Sequence, residues 1–280
     1  MVVGDLFDRA SLAAALQEVD LAYFTYPHRC RCGDRRSDLR RGGARGRSQA
    51  AHSGDVHGGA RATRPSQRFG QSAVLAEQVM EWAGLELLVL RVAALFHENL
   101  LVLHSQSIRR EHAFRNSFSD VAMPWISGRD AAELGVAALL HPERFETAVV
   151  YPRGSQAYSH TAIAAMMSEI AGTPPITFEP VTQEHWRQEL IDLSQTDGAH
   201  VVNPAMAQHI SSIGHAVSAG APAFPPADWD ALQAVLGRAP VTMRDFLASH
   251  RAEWAPADES TTVAAGGRAL QCSSCTRPIW

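Results

Sequence analysis

The 280-residue chain is 46% hydrophobic and 19% charged, with a formal net charge of −4, a composition that suits one large α/β domain or two smaller ones. Its most apolar run, "LELLVLRVAALFHENLLVLH", is broken by Arg91, His97 and Glu98 and does not suit a membrane span; no signal-peptide pattern opens the chain, and a cytoplasmic location is expected. All 25 basic residues are arginine, which excludes any mechanism that needs a lysine amine.

In chain order, "GDLFDRASLAAALQEVD" predicts a helix with Asp8 at its N-cap and Leu12, Ala15, Leu16 and Val19 at helical spacing. The apolar run "LAYFTYP" follows at once and predicts a buried parallel strand. The pattern then breaks. Residues 28 to 65 hold 10 Arg and 3 Asp, against 15 Arg and 26 acidic residues in the rest of the chain. With only Leu39 and Val56 as large apolar side chains, this segment does not offset its ordering entropy and is expected to be disordered. Periodicity returns in "FGQSAVLAEQVMEWAG", which places Val74, Leu75, Val79 and Trp82 on one helix face and stops at Gly84. "LELLVLR" predicts a second buried strand, and the alternation argues for a doubly wound parallel sheet.

Further on, "AVVYP" predicts a short strand. "SHTAIAAMMSEIAG" predicts a helix capped by Ser159, with Ile163, Met166, Met167 and Ile170 inward and Gly172 at its end. "ITFEPVTQEHWRQELIDL" gives a strand and a helix capped by Thr182, and "DWDALQAVLG" and "TMRDFLASHR" give two short helices. The expected organisation is a nucleotide-binding domain over 1–141, a smaller α/β substrate lobe over 142–256, and a disordered tail over 257–280.

Four stretches carry a family resemblance: "VVGDLFDRASLAAALQEVDLAYFTYP", "LELLVLRVAALFHENLL", "MPWISGRDAAELGVAALLHPE" and "YSHTAIAAMMSEIAGTPPITFEPVTQEHW". In this order and spacing the chain resembles the NmrA-like family of atypical short-chain dehydrogenase/reductases. The resemblance implies a Rossmann-type sheet that binds NAD(P), with NADP the expected form, and an ancestral NAD(P)H-dependent reduction of a small carbonyl or quinone. It places Asp5 and Leu6 beside the adenine and Thr25, Tyr26 and Pro27 under the ribose and nicotinamide, at the carboxyl end of a strand, where open α/β sheets bind ligands. Ala93 and Phe96 would shape the nicotinamide side, and Glu98, Asn99 and Trp125 the substrate side. The plainer alternative makes Phe96 and Trp125 core residues, Asp130 a helix cap, and Glu98 and Asn99 helix-start caps. A non-enzymatic NAD(P) sensor that regulates a protein partner is the rival function.

Two departures qualify the resemblance. The family's opening strand and Gly-rich turn, whose amides hold the pyrophosphate, are not found, so the chain is expected to be truncated at its start and weakened in cofactor binding. The helix "FGQSAVLAEQVM", where active relatives commonly carry a lysine, offers Gln71 and Ser72. Where the family has an apolar helix and strand, "AAHSGDVHGGARA" carries a single large apolar residue. Read one base out of frame, its codons permit a buried strand ending in Ser, so residues 28–65 look like an out-of-frame translation of that unit.

Other motifs carry little. Cys30, Cys32, Cys272 and Cys275 form CxC and CxxC pairs too far apart in sequence to favour zinc, and no metal site is expected. "HENLLVLH" has Leu101 where a zincin needs its second histidine. "RRGGARGRS" resembles an RNA-tracking arginine tract but has no aromatic residue for stacking, so nucleic-acid binding is disfavoured.

Overall fold

In the computed structural model, which describes residues 8–24, 47–49, 51–52, 68–172, 174–195, 202–221 and 224–256, α1 (Arg9–Ala15) starts where the sequence places it. The Asp8 carboxylate accepts from Ala10 N at 2.9 Å, satisfying one of the free N–H groups of the first turn. β1 (Leu21–Tyr23) follows and pairs in parallel with β2 (Arg47–Gln49), Ala22 facing Ser48. β3 (Ala51–His52) pairs in parallel with β4 (Val89–Arg91), and β4 pairs in parallel with β8 (Val149–Val150) on its other edge. Residues 47–49 thus pair with β1 and residues 51–52 with β4.

Two expectations change here. The basic segment 28–65 contributes two short strands, because ladder pairing uses only backbone N–H and C=O groups, which Arg, Ser, Gln and Ala carry like any residue; its other residues lie outside those described. β1 is parallel, as expected, but Leu21 and Tyr23 are 38% and 44% exposed. A strand paired along one edge at the margin of the layer is not covered on both faces.

α2 (Arg68–Trp82) forms and gives way to Gly84, in the left-handed region at φ +79°. Its buried face is Ala76, Glu77 and Met80, while Val74, Leu75 and Trp82 are exposed, so the expected inward face is corrected. The cause is an ion pair: Glu77 Oε2 lies 2.5 Å from Arg91 Nη2 on β4, and turning Glu77 toward the sheet turns Trp82 away.

After β4 the chain enters a second sheet, β5 (Leu95–Phe96), β7 (Met123–Ile126) and β9 (Gln156–Tyr158), in which β5 and β7 are parallel and β9 is antiparallel. β6 (Ala113–Asn116) pairs in parallel with β10 (Thr177–Pro180). The helices are α3 (Glu98–Glu111), α4 (Gly128–Leu140), α5 (His160–Ala171), α6 (Gln183–Ser194), α7 (Pro204–Ser218), α8 (Trp229–Leu236), α9 (Met243–Ser249) and α10 (Arg251–Trp254). Ser159 and Thr182 cap α5 and α6 by accepting from Ala162 N and His185 N. Pairing crosses residue 141 three times, β8 with β4, β9 with β7 and β10 with β6, so the layers interleave along the chain. The largest core gathers Leu100, Phe114, Trp125, Met167, Phe246 and Trp254 between α3, the strands and the last helices.

The β8–β9 connection lies so close to β7 that a Cβ on Gly154 would sit 2.5 Å from both Trp125 N and Trp125 O. Backbone does not yield as a side chain does, so Gly154→Ala should cost about 3 kcal/mol by overpacking. Gly237→Ala, with φ +71° and nothing within 4 Å of a new Cβ, should cost about 1 kcal/mol of left-handed strain. Urea unfolding of the two variants checks the order.

Candidate functional site

The carboxyl ends of β4 and β8 and the chain leading out of them form the region where a ligand belongs in an open α/β sheet. Ala93, just beyond β4, is fully buried and donates its N–H to Pro152 O at 2.8 Å. Parallel register then sets Leu95 opposite Trp125 and Phe96 opposite Ile126, and His97 N donates to Ile126 O at 3.0 Å. Phe96 is half-buried and packs against the cluster that holds Ile126 and Leu134.

Glu98 is already engaged. Both of its carboxylate oxygens accept from Gly128 N, at 2.9 and 2.8 Å, at the start of α4, where the helix dipole favours an anion. Ser127 caps the same helix by accepting from Asp130 N at 3.0 Å. Asn99 is half-buried in the first turn of α3. Trp125 is 1% exposed and donates its indole N–H to Tyr158 O at 3.2 Å. The fold therefore brings Ala93, Phe96, Glu98, Asn99 and Trp125 together around one β4–β5–α3 turn. Asp5, Leu6, Thr25, Tyr26 and Pro27 lie outside the described residues, as do the four cysteines.

Two further residues make contacts that sequence reasoning did not foresee. Arg91 donates to Tyr151 Oη at 2.9 Å as well as pairing with Glu77, which fixes a phenol at the end of β8. The signal was a lone charge in an otherwise apolar strand. Asp130, fully buried, does more than begin a helix. Its Oδ1 lies 2.8 Å from Arg238 Nη2, and its Oδ2 accepts from Val241 N at 2.9 Å. Arg238 also donates to Glu133 at 2.8 Å; that hydrogen bond, with Asp130 behind it, holds the guanidinium more basic than usual. His97, buried against Phe246, is pulled by burial to a pKa of about 4 and is neutral at neutral pH.

No protein-family model matches the chain. Among solved structures, an NADPH-dependent quinone oxidoreductase from Escherichia coli, solved with NADPH, superposes with a TM-score of 0.68 at 16% identity, covering 89% of this chain and 82% of that one. A Citrobacter triphenylmethane reductase with NADP(H) gives 0.64 at 16% identity over 88% and 82%, and a mutant NmrA gives 0.60 at 11% identity over 88% and 78%. The chain shares the fold of these proteins, a Rossmann-type α/β architecture with parallel strands. In sequence, an NAD(P)H azoreductase from Xenophilus azovorans is 26% identical over 163 residues, 58% of this chain, and the chain spans about half that relative's length, 52%. Among the described residues, no helix is long and apolar enough to cross a membrane.

Arg238→Ala should be the most costly change near this region, about 3–5 kcal/mol, because it strands the Asp130 carboxylate without its cation. Adding Asp130→Asn should recover part of that loss by removing the buried charge. Chemical denaturation of both variants measures the difference.

Proposed function

We propose that this protein is an NAD(P)H-dependent oxidoreductase that passes a hydride to a small conjugated acceptor such as a quinone, a carbonyl or an azo compound. The observation that carries the proposal is the shared NmrA-like architecture, in which β3, β4 and β8 run in parallel and the chain beyond β4 turns directly into Phe96, Glu98 and Asn99.

Phe96 supplies a half-buried ring at this end of the strands, and Ala93, fully buried with its backbone N–H satisfied, supports the backbone behind it. On this reading Ala93 and Phe96 bound the nicotinamide, Asp5 and Leu6 lie beside the adenine, and Thr25, Tyr26 and Pro27 lie under the ribose. The bound cofactor would supply the hydride. Glu98 holds the turn to α4 through Gly128, Asn99 faces the acceptor, and Trp125 backs that side from the core. With no lysine in the chain, the proton that completes the reduction after hydride transfer would come from solvent water. NADP is the proposed form of the cofactor.

Thermal unfolding with NADPH and NADH tests the reading. A nucleotide at about 100 times its Kd should add about 2.7 kcal/mol of stability, and Phe96→Ala should weaken that binding about tenfold by removing a ring contact. NADPH consumption against a panel of quinones, aldehydes and azo dyes then tests turnover. Unchanged melting with both nucleotides would refute the proposal.

A further inference from the structure

Two buried imidazoles share one phenyl ring where α3, β6, β10, α5 and α6 meet. The His104 and Phe114 ring centroids are 5.3 Å apart, and His160, the first residue of α5, approaches the same phenyl ring at 6.2 Å. His104 also stacks on Trp186 of α6 at 5.0 Å, and His160 stacks on Phe178 of β10 at 4.9 Å and meets Trp125 of β7 edge-on at 5.6 Å. The imidazoles are 5% and 2% exposed, and His160 Nδ1 has no hydrogen-bond partner. Neither ring belongs to the proposed cofactor site.

We propose that the His104–Phe114–His160 box is an acid-released latch: protonation of either imidazole loosens the layer formed by β6, β10, α5 and α6 and leaves the β3–β4–β8 sheet closed. Aromatic faces attract cations, by about 0.5–2 kcal/mol, but a buried imidazolium loses more than that in hydration when only part of its hydrogen bonding is met, as for His160, whose Nδ1 has no partner. Charged groups around the box do little to compensate. His160 sees Asp120 and the Ser119 backbone from the β6–β7 connection, both favouring its charged form, against the larger effect of burial. His104 faces His160, whose charge opposes its own. From β6, β7, β10 and α6 the box meets Phe114, Trp125, Phe178 and Trp186. The neighbouring strand residues Arg115 and Glu179 alternate away and pair with each other at 2.6 Å.

The direction follows from linkage. Burial lowers His104 to about 3 and His160 to about 4, below the value of about 6.5 that each takes when exposed. The opened layer binds more protons between those limits, so stability is complete above about pH 6.5 and falls as pH drops toward 4. At pH 5 each imidazole multiplies the opening constant by about 30-fold relative to pH 8. His97, in its separate site against Phe246, a ring that His250 also contacts, adds a share of its own.

Hydrogen exchange of the full chain at pH 8 and pH 5, corrected for intrinsic rates and without nucleotide, tests the latch independently of the proposed activity. In the wild type, β6, β10, α5 and α6 should lose protection at pH 5 while β4 keeps it. The double variant His104→Phe, His160→Phe should reduce the pH 5 to pH 8 ratio of opening constants by about 1000-fold. The pair His104→Gln, His160→Gln gives the same readout if the larger rings do not pack, since a ratio between two pH values is insensitive to a uniform loss of stability. A wild-type ratio in either double variant, or equal loss of protection in β4, would overturn the proposal.

Discussion

Strand β4 is hydrogen-bonded along both edges, to β3 and to β8, and that constraint decides where the next residues go. With both flanks taken, Ala93 makes one last parallel bridge to Arg153, and the chain leaves the sheet. Two residues later it pairs with β7 in a second sheet, through Leu95 and Phe96. The candidate site is this transfer between sheets. Phe96, His97 and Glu98 are placed by backbone pairing before any side chain contributes, and the Glu98 contact to Gly128 then fixes the turn against α4. A scaffold set by backbone groups also explains how the architecture recurs at 16% identity.

Elements were legible in the sequence wherever a short polar residue precedes a periodic run. Asp8, Ser159 and Thr182 each accept from a first-turn N–H, as the pattern implies. The inward face of α2 was not legible. Hydrophobicity favours burying Trp82, but a partner on β4, far away in pattern terms, makes burial of Glu77 the better outcome. Desolvating a carboxylate is tolerable only beside a cation, and Arg91 supplies one at a position the strand's apolar run does not advertise. α7 also escaped. Its buried residues Ala207, Ser211, Gly214 and Val217 are mostly small, so no apolar stripe shows, although Asn203 before Pro204 is a helix-start signal.

For the site, sequence could name the turn residues but not divide them by role, because a carboxylate that contacts a ligand and one that caps a helix occupy the same kind of position. Geometry separates them in Glu98, whose two oxygens meet one backbone N–H of α4. The histidines are a similar case. A search for ligand spacing passes over His104 and His160, because they serve as flat rings among Phe114, Phe178 and Trp186, a use that leaves no sequence period.

The start of α4 concentrates negative charge, with Glu98 on Gly128 N and Asp130 within the first turn, balanced by Arg238 from the far end of the chain. A helix N-terminus is ordinarily an attractive place for phosphate. Here two carboxylates occupy or surround it, with the Glu98 carboxyl carbon 2.9 Å from where a Cβ on Gly128 would stand, so a second anion would meet their repulsion. Under the proposed function, the cofactor's pyrophosphate would then be held by amides other than those that start α4.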